Sequence, residues 1–96
     1  MMDVNVNELR DVANKLFDHL LQSGHEMVTI PHDYYWSIPS ELRHDPYSQP
    51  KEFTLGQFSS DIEELSRINN GTDEPFAFAL VWLASIIREI GEITVV

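Results

Sequence analysis

Phe76-Ala77-Phe78-Ala79-Leu80-Val81-Trp82-Leu83-Ala84-Ser85-Ile86-Ile87 contains a single polar side chain, Ser85. The stretch is too short to span a membrane as a helix, which takes about 20 apolar residues. It reads instead as a core helix, apolar on every face, that has to be covered on all sides. Asp73-Glu74-Pro75 is fitting start chemistry. Acids complement the positive end of the helix dipole, and proline is tolerated in the first turn. This third helix is expected to run to Ile90, with Gly91 as its cap.

Working back from it, a second helix is expected to end at Asn69-Asn70-Gly71, residue types that accept the left-handed conformation. Thr54-Leu55-Gly56-Gln57 matches a capping box, with Phe53 and Phe58 placed as its hydrophobic staple. Ser60 with Glu63 offers a rival, later start. A first helix is expected from about Asn5 to Ser23. Asn5 is a good N-cap and Glu8 sits at the third helical position. Val6, Leu9, Val12, Ala13, Leu16, Phe17 and Leu20 repeat at steps of three and four, which makes one apolar stripe. Gly24 is placed to end the helix.

Between helices one and two, His25 to Phe53 is irregular. Pro31, Pro39, Pro46 and Pro50 forbid a long helix and disfavour a central strand. Ser40 to Arg43 has the makings of one helical turn. The segment carries Tyr34, Tyr35, Trp36 and Tyr47, and reads as an aromatic loop packed on the helices. Met27 to Ile30 is strand-prone, as is the tail Glu92 to Val96, so the two are candidates for a short β pair. Two amphipathic helices cannot wrap a third that is apolar all round. The remaining cover is expected from the aromatic segment and a second copy of the chain. The fold class is therefore mainly α. It is a single domain over residues 1–96, a three-helix core with the third helix central and an aromatic, proline-rich segment between helices one and two.

Sixteen acids against six bases give a formal net charge of -10. Such a surface disfavours nucleic acid and anionic lipid, both polyanions, and favours a basic partner. The hydrophobic fraction of 43% suits a folded domain and is too high for a disordered one. The chain has no cysteine, hence no disulfide framework and no thiolate ligands. Met1 to Asn7 lacks a basic stretch followed by an apolar run, so no signal peptide is expected and the cytoplasm is the expected location.

Residues that carry chemistry are sparse. His19, His25, His32 and His44 are not paired at helical ligand spacing, and His25-Glu26 is not followed by the second histidine of a zinc motif. No serine lies in a nucleophile elbow, and the dispersed glycines form no phosphate loop. No catalytic residue, metal ligand or cofactor site is expected.

Two features remain as candidate partner-binding sites. One is the acid set Asp61, Glu63, Glu64, Asp73 and Glu74, which brackets the turn between helices two and three with Arg67 as the nearby base. Asp61 and Glu64 are assigned to the solvated face of helix two. The other is Asp33-Tyr34-Tyr35-Trp36, a run of residue types common in interface hot spots. Its aromatics serve equally as a core plug whose polar tips find local partners.

Asp33-Tyr34-Tyr35-Trp36-Ser37-Ile38-Pro39, Asp45-Pro46-Tyr47, Phe53-Thr54-Leu55-Gly56-Gln57, Glu64-Leu65, Ala79-Leu80-Val81-Trp82-Leu83-Ala84 and Arg88-Glu89-Ile90-Gly91-Glu92 together resemble a group of short bacterial proteins of uncharacterised function. The likeness covers most of the chain after residue 30 and implies no activity or site residues. In size and acidity the chain is also similar to the immunity proteins that neutralise bacterial toxins. The resulting expectation is a non-enzymatic domain that binds a basic protein such as a toxin. The alternative is a homodimer built on the third helix, and a small enzyme comes last.

Overall fold

The structure is a computed structural model and describes residues 1–38, 43–44, 46–47 and 54–94. Along the chain they form α1 (Val6–Gln22), β1 (Tyr34–Ser37), β2 (Thr54–Gln57), α2 (Phe58–Asn69) and α3 (Ala79–Ile93). The architecture is mainly α with one short antiparallel β pair. No helix among the described residues is long and apolar enough to cross a membrane.

Local signals set both ends of α1. The Asn5 side chain accepts a hydrogen bond from the Glu8 backbone N–H at 3.1 Å, satisfying one of the donors that a helix start leaves open. At the far end Gly24 takes φ 87°, which lets the His25 N–H turn back to the Leu20 carbonyl at 2.9 Å. α2 ends in the same way at Gly71, φ 79°, with the Thr72 N–H donating to the Arg67 carbonyl at 2.9 Å.

The start of α2 differs from the capping-box reading. Thr54 to Gln57 is strand β2, and the helix begins at Phe58. Its register pairs Tyr34 with Gln57, Tyr35 with Gly56, Trp36 with Leu55 and Ser37 with Thr54. Long-range ladder bonds outweigh a local cap whose worth is about 1 kcal/mol. Phe53, the other half of the expected staple, lies outside the described residues. So does most of the turn expected over Ser40 to Arg43.

Two further expectations give way. The β pair does not join Met27–Ile30 to the tail: residues 27–30 form no strand, and Glu92 and Ile93 belong to α3. Val95 and Val96 lie outside the described residues. Gly91 does not cap the third helix. Its φ is not positive, so the helix continues through it. Thr94 ends the helix instead, its N–H and Oγ1 both donating to the Ile90 carbonyl at 2.9 and 2.6 Å.

The core lies where α2, α3 and the inner face of the β ribbon meet, around buried Phe58 and Ala79. α3 is not central. α2 covers one side of it, while Leu80, Val81, Leu83 and Ile87 stay exposed, because a single neighbouring helix shields only a stripe. Of the aromatic segment, Tyr35 packs on Phe58 of α2 and reaches α3 through Asp61, the carboxylate that Ser85 of α3 also binds. Phe76 and Phe78 meet Trp82 edge-on, with ring centroids at 5.4 and 5.9 Å, a favoured aromatic geometry.

Candidate functional site

Tyr34 to Trp36 lie in strand β1, not in a loop, with Asp33 just before it, and successive strand side chains point to opposite faces. Alternation therefore splits the aromatics. Tyr35 points inward to a ring stack with Phe58, centroids 4.5 Å apart. Its hydroxyl donates to Asp61 Oδ2 at 2.6 Å. Ser85 of α3 joins the same carboxylate, with Oγ 3.1 Å from Oδ2 and 2.8 Å from the Trp82 carbonyl. One hydroxyl proton is shared between those two acceptors. Burial, and then the bond to Asp61, hold the Tyr35 phenol above its ordinary pKa. The phenol stays protonated and serves as a donor.

Gly56 faces Tyr35 across the ribbon. A Cβ at Gly56 would collide with the Tyr35 ring. The ring occupies the space that the glycine leaves, so the inner face is tightly fitted.

Tyr34 and Trp36 point the other way, and Leu55 joins them from β2. They are 58, 71 and 59% exposed. This outer face is an apolar, aromatic surface held from behind by the Tyr35 network. Leu55 was missed at the level of sequence because its place beside Trp36 depends on strand register, which no local pattern encodes.

Asp33 serves the fold. Its Oδ1 accepts from the Ser59 N–H at 2.8 Å, and its Oδ2 accepts from Ser59 Oγ and Gln57 Nε2 at 2.9 Å each. The Asp33 carbonyl accepts from the Phe58 N–H at 2.7 Å. It thus caps α2 from another element, where Gln57, the N-cap residue itself, makes no side-chain cap bond. The Ser59 backbone bond, then Gln57 and the Ser59 hydroxyl, lower the Asp33 pKa.

The acid stripe also divides. Asp61 is 7% exposed, not on the wet face. It follows Phe58 by three positions and so shares the face turned to α3. Glu63 and Glu64 flank Arg67 at 3.3 and 3.6 Å. These pairs are largely exposed and add little stability. Glu74 is exposed and Asp73 partly so. The structure brings Tyr35 and Asp61 together inside, and leaves Tyr34, Trp36 and Glu74 exposed. Among the described residues no three His, Asp or Glu side chains are grouped to hold a metal ion.

No protein-family model, curated protein or solved structure matches this chain.

Proposed function

We propose that this chain is a non-enzymatic protein-binding domain whose β ribbon docks a basic protein partner, in the manner of an immunity protein engaging a toxin. The observation that carries the reading is the sorting of side chains by β1. Tyr34 and Trp36 face outward with Leu55, while Tyr35 ties the ribbon to α2 and α3. A rigid backing lowers the entropy cost of binding, and Trp and Tyr are favoured interface anchors. The net charge of -10 speeds encounter with a cationic surface. The polar network inside suits a structural role, since the Tyr35 and Ser85 hydroxyls already donate to internal acceptors.

The test is quantitative capture on immobilised protein from the source cells, with wild-type, Trp36→Ala and Tyr34→Ala baits side by side. The reading expects a basic protein retained by wild type and lost from both variants while they stay folded. Retention of an identical set of proteins by all three baits would sink it. A second reading, a homodimer built on α3, draws on the exposed Leu80, Val81, Leu83 and Ile87.

A further inference from the structure

We infer that the protein partner adds an extended, basic segment as a third, antiparallel strand on the open edge of β2, in register with Leu55 and Gln57. This rests on the ribbon being the docking face, and it states how the partner is held there. The ladder itself sets the edge. The Phe58 N–H donates to the Asp33 carbonyl at 2.7 Å, and these two residues continue the register that pairs Tyr34 with Gln57. In an antiparallel ladder, pairs that exchange hydrogen bonds alternate with pairs that do not. Tyr35–Gly56 and Ser37–Thr54 are therefore the bonded pairs, and Tyr34–Gln57 and Trp36–Leu55 the unbonded ones. Leu55 thus turns both its N–H and its carbonyl away from β1, and Gln57 turns its N–H the same way.

Among the described residues β1 is the only strand beside β2, so these groups lie along an open edge. Proteins usually guard such an edge with charge, proline or a bulge. Thr54-Leu55-Gly56-Gln57 carries neither charge nor proline. Its register with β1 is unbroken, and Leu55 stands 59% exposed. On the opposite edge, that of β1, Trp36 already has an interaction within the chain. Outward N–H and carbonyl groups at strand spacing are met in full only by another extended backbone, which is how strand addition holds a peptide.

The face beside that edge sets the side chains of the occupant. Leu55 and Gln57 share the outer face with Tyr34 and Trp36, as alternation requires. Gln57 Nε2 lies 3.4 Å from the Tyr34 hydroxyl and 2.9 Å from Asp33 Oδ2. In an antiparallel addition one partner residue exchanges two hydrogen bonds with Leu55. The residue two before it in the partner accepts from the Gln57 N–H. Both send their side chains to the outer face. The first lies beside Leu55 and is apolar. The second lies beside Gln57 and the exposed Asp33 carboxylate, and is lysine or arginine. The pattern recognised is therefore basic, any, apolar. The net charge of -10 draws such a segment in.

A display library of random linear peptides, selected on the immobilised wild-type chain, tests it. The expected winners carry the basic, any, apolar pattern. A winning peptide is then made with a single N-methyl group at each position in turn. Affinity should fall about tenfold at alternate positions only, because every second N–H of an added strand points to β2. Leu55→Pro should bind about tenfold more weakly than Leu55→Ala, since proline removes an outward N–H that the ribbon does not use. The methylation scan uses the wild-type chain, so it decides the matter even where Leu55→Pro fails to fold. Winners without the pattern, no winners at all, or a scan without alternation overturn the inference. Winners that are lost on Trp36→Ala yet show no alternation dock on side chains alone. In that case the ribbon remains the docking face and the added strand is wrong.

Discussion

The Tyr35 hydroxyl donates to Asp61 Oδ2 at 2.6 Å, although 26 positions separate the two residues in sequence. That bond joins the β ribbon to α2, and Ser85 extends it to α3. Three elements thus depend on one buried carboxylate. Asp61→Ala would leave the Tyr35 hydroxyl without its acceptor and Ser85 with the Trp82 carbonyl alone. A hydrogen bond to a charged group contributes about 1.5–3 kcal/mol, so a loss of that size is expected in urea denaturation. An unchanged midpoint would mean that water replaces the carboxylate without cost.

Gly56→Ala is expected to destabilise by about 1–3 kcal/mol, the usual cost of overpacking. The added Cβ displaces the Tyr35 ring and, with it, the bond to Asp61. A double-mutant cycle isolates the cause. In a Tyr35→Ala background the ring is gone, and Gly56→Ala should cost far less there. An equal cost in both backgrounds would place the effect in the backbone and not in the ring.

The cap of α2 separates two expectations. Thr54→Ala should shift the denaturation midpoint by less than about 0.5 kcal/mol, because Thr54 Oγ1 makes only a long, exposed bond to the Ser37 carbonyl at 3.4 Å. Asp33 matters more, and through pH. Its pKa is lower folded than unfolded, so its stabilisation is complete above the unfolded value and is lost as pH falls through the folded one. Acid titration followed by circular dichroism should show a shallower loss for Asp33→Asn than for wild type. Superimposable acid limbs would count against a capping role for the charge.

Trp36→Ala should cost only about 0.2–1 kcal/mol of stability, the usual worth of a cross-strand pair such as Trp36 with Leu55. On a bound basic partner it should speed dissociation by the equivalent of about 2 kcal/mol. Glu74→Lys should instead slow association and flatten its salt dependence, since rim charges act mainly on the on-rate. Surface plasmon resonance at two salt concentrations separates the effects. Loss of fold in Trp36→Ala would return the residue to the core.

The parts legible in sequence are those with local causes. Asn5 and Gly24 delimit α1 as read, and Asn70-Gly71 closes α2 as read, because caps act within a turn or so of themselves. Three helices and a mainly α class follow from apolar spacing in the same way. The Asp33–Trp36 run was visible as a candidate, but its sorting into an inward Tyr35 and outward Tyr34 and Trp36 was not. Sorting requires knowing that the segment is a strand, and its strand partner lies some 20 residues away.

Charge, composition and apolar spacing by themselves determined that this is a small acidic helical chain with an apolar stripe along α1 and an apolar run in α3. Only the tertiary structure decided that Thr54 to Gln57 is a strand, that Asp33 caps a helix from outside it, and that Asp61 is internal. Each of these rests on a contact between residues distant in sequence. Local pattern cannot foresee it, because the energy that settles the choice appears only when the two segments meet.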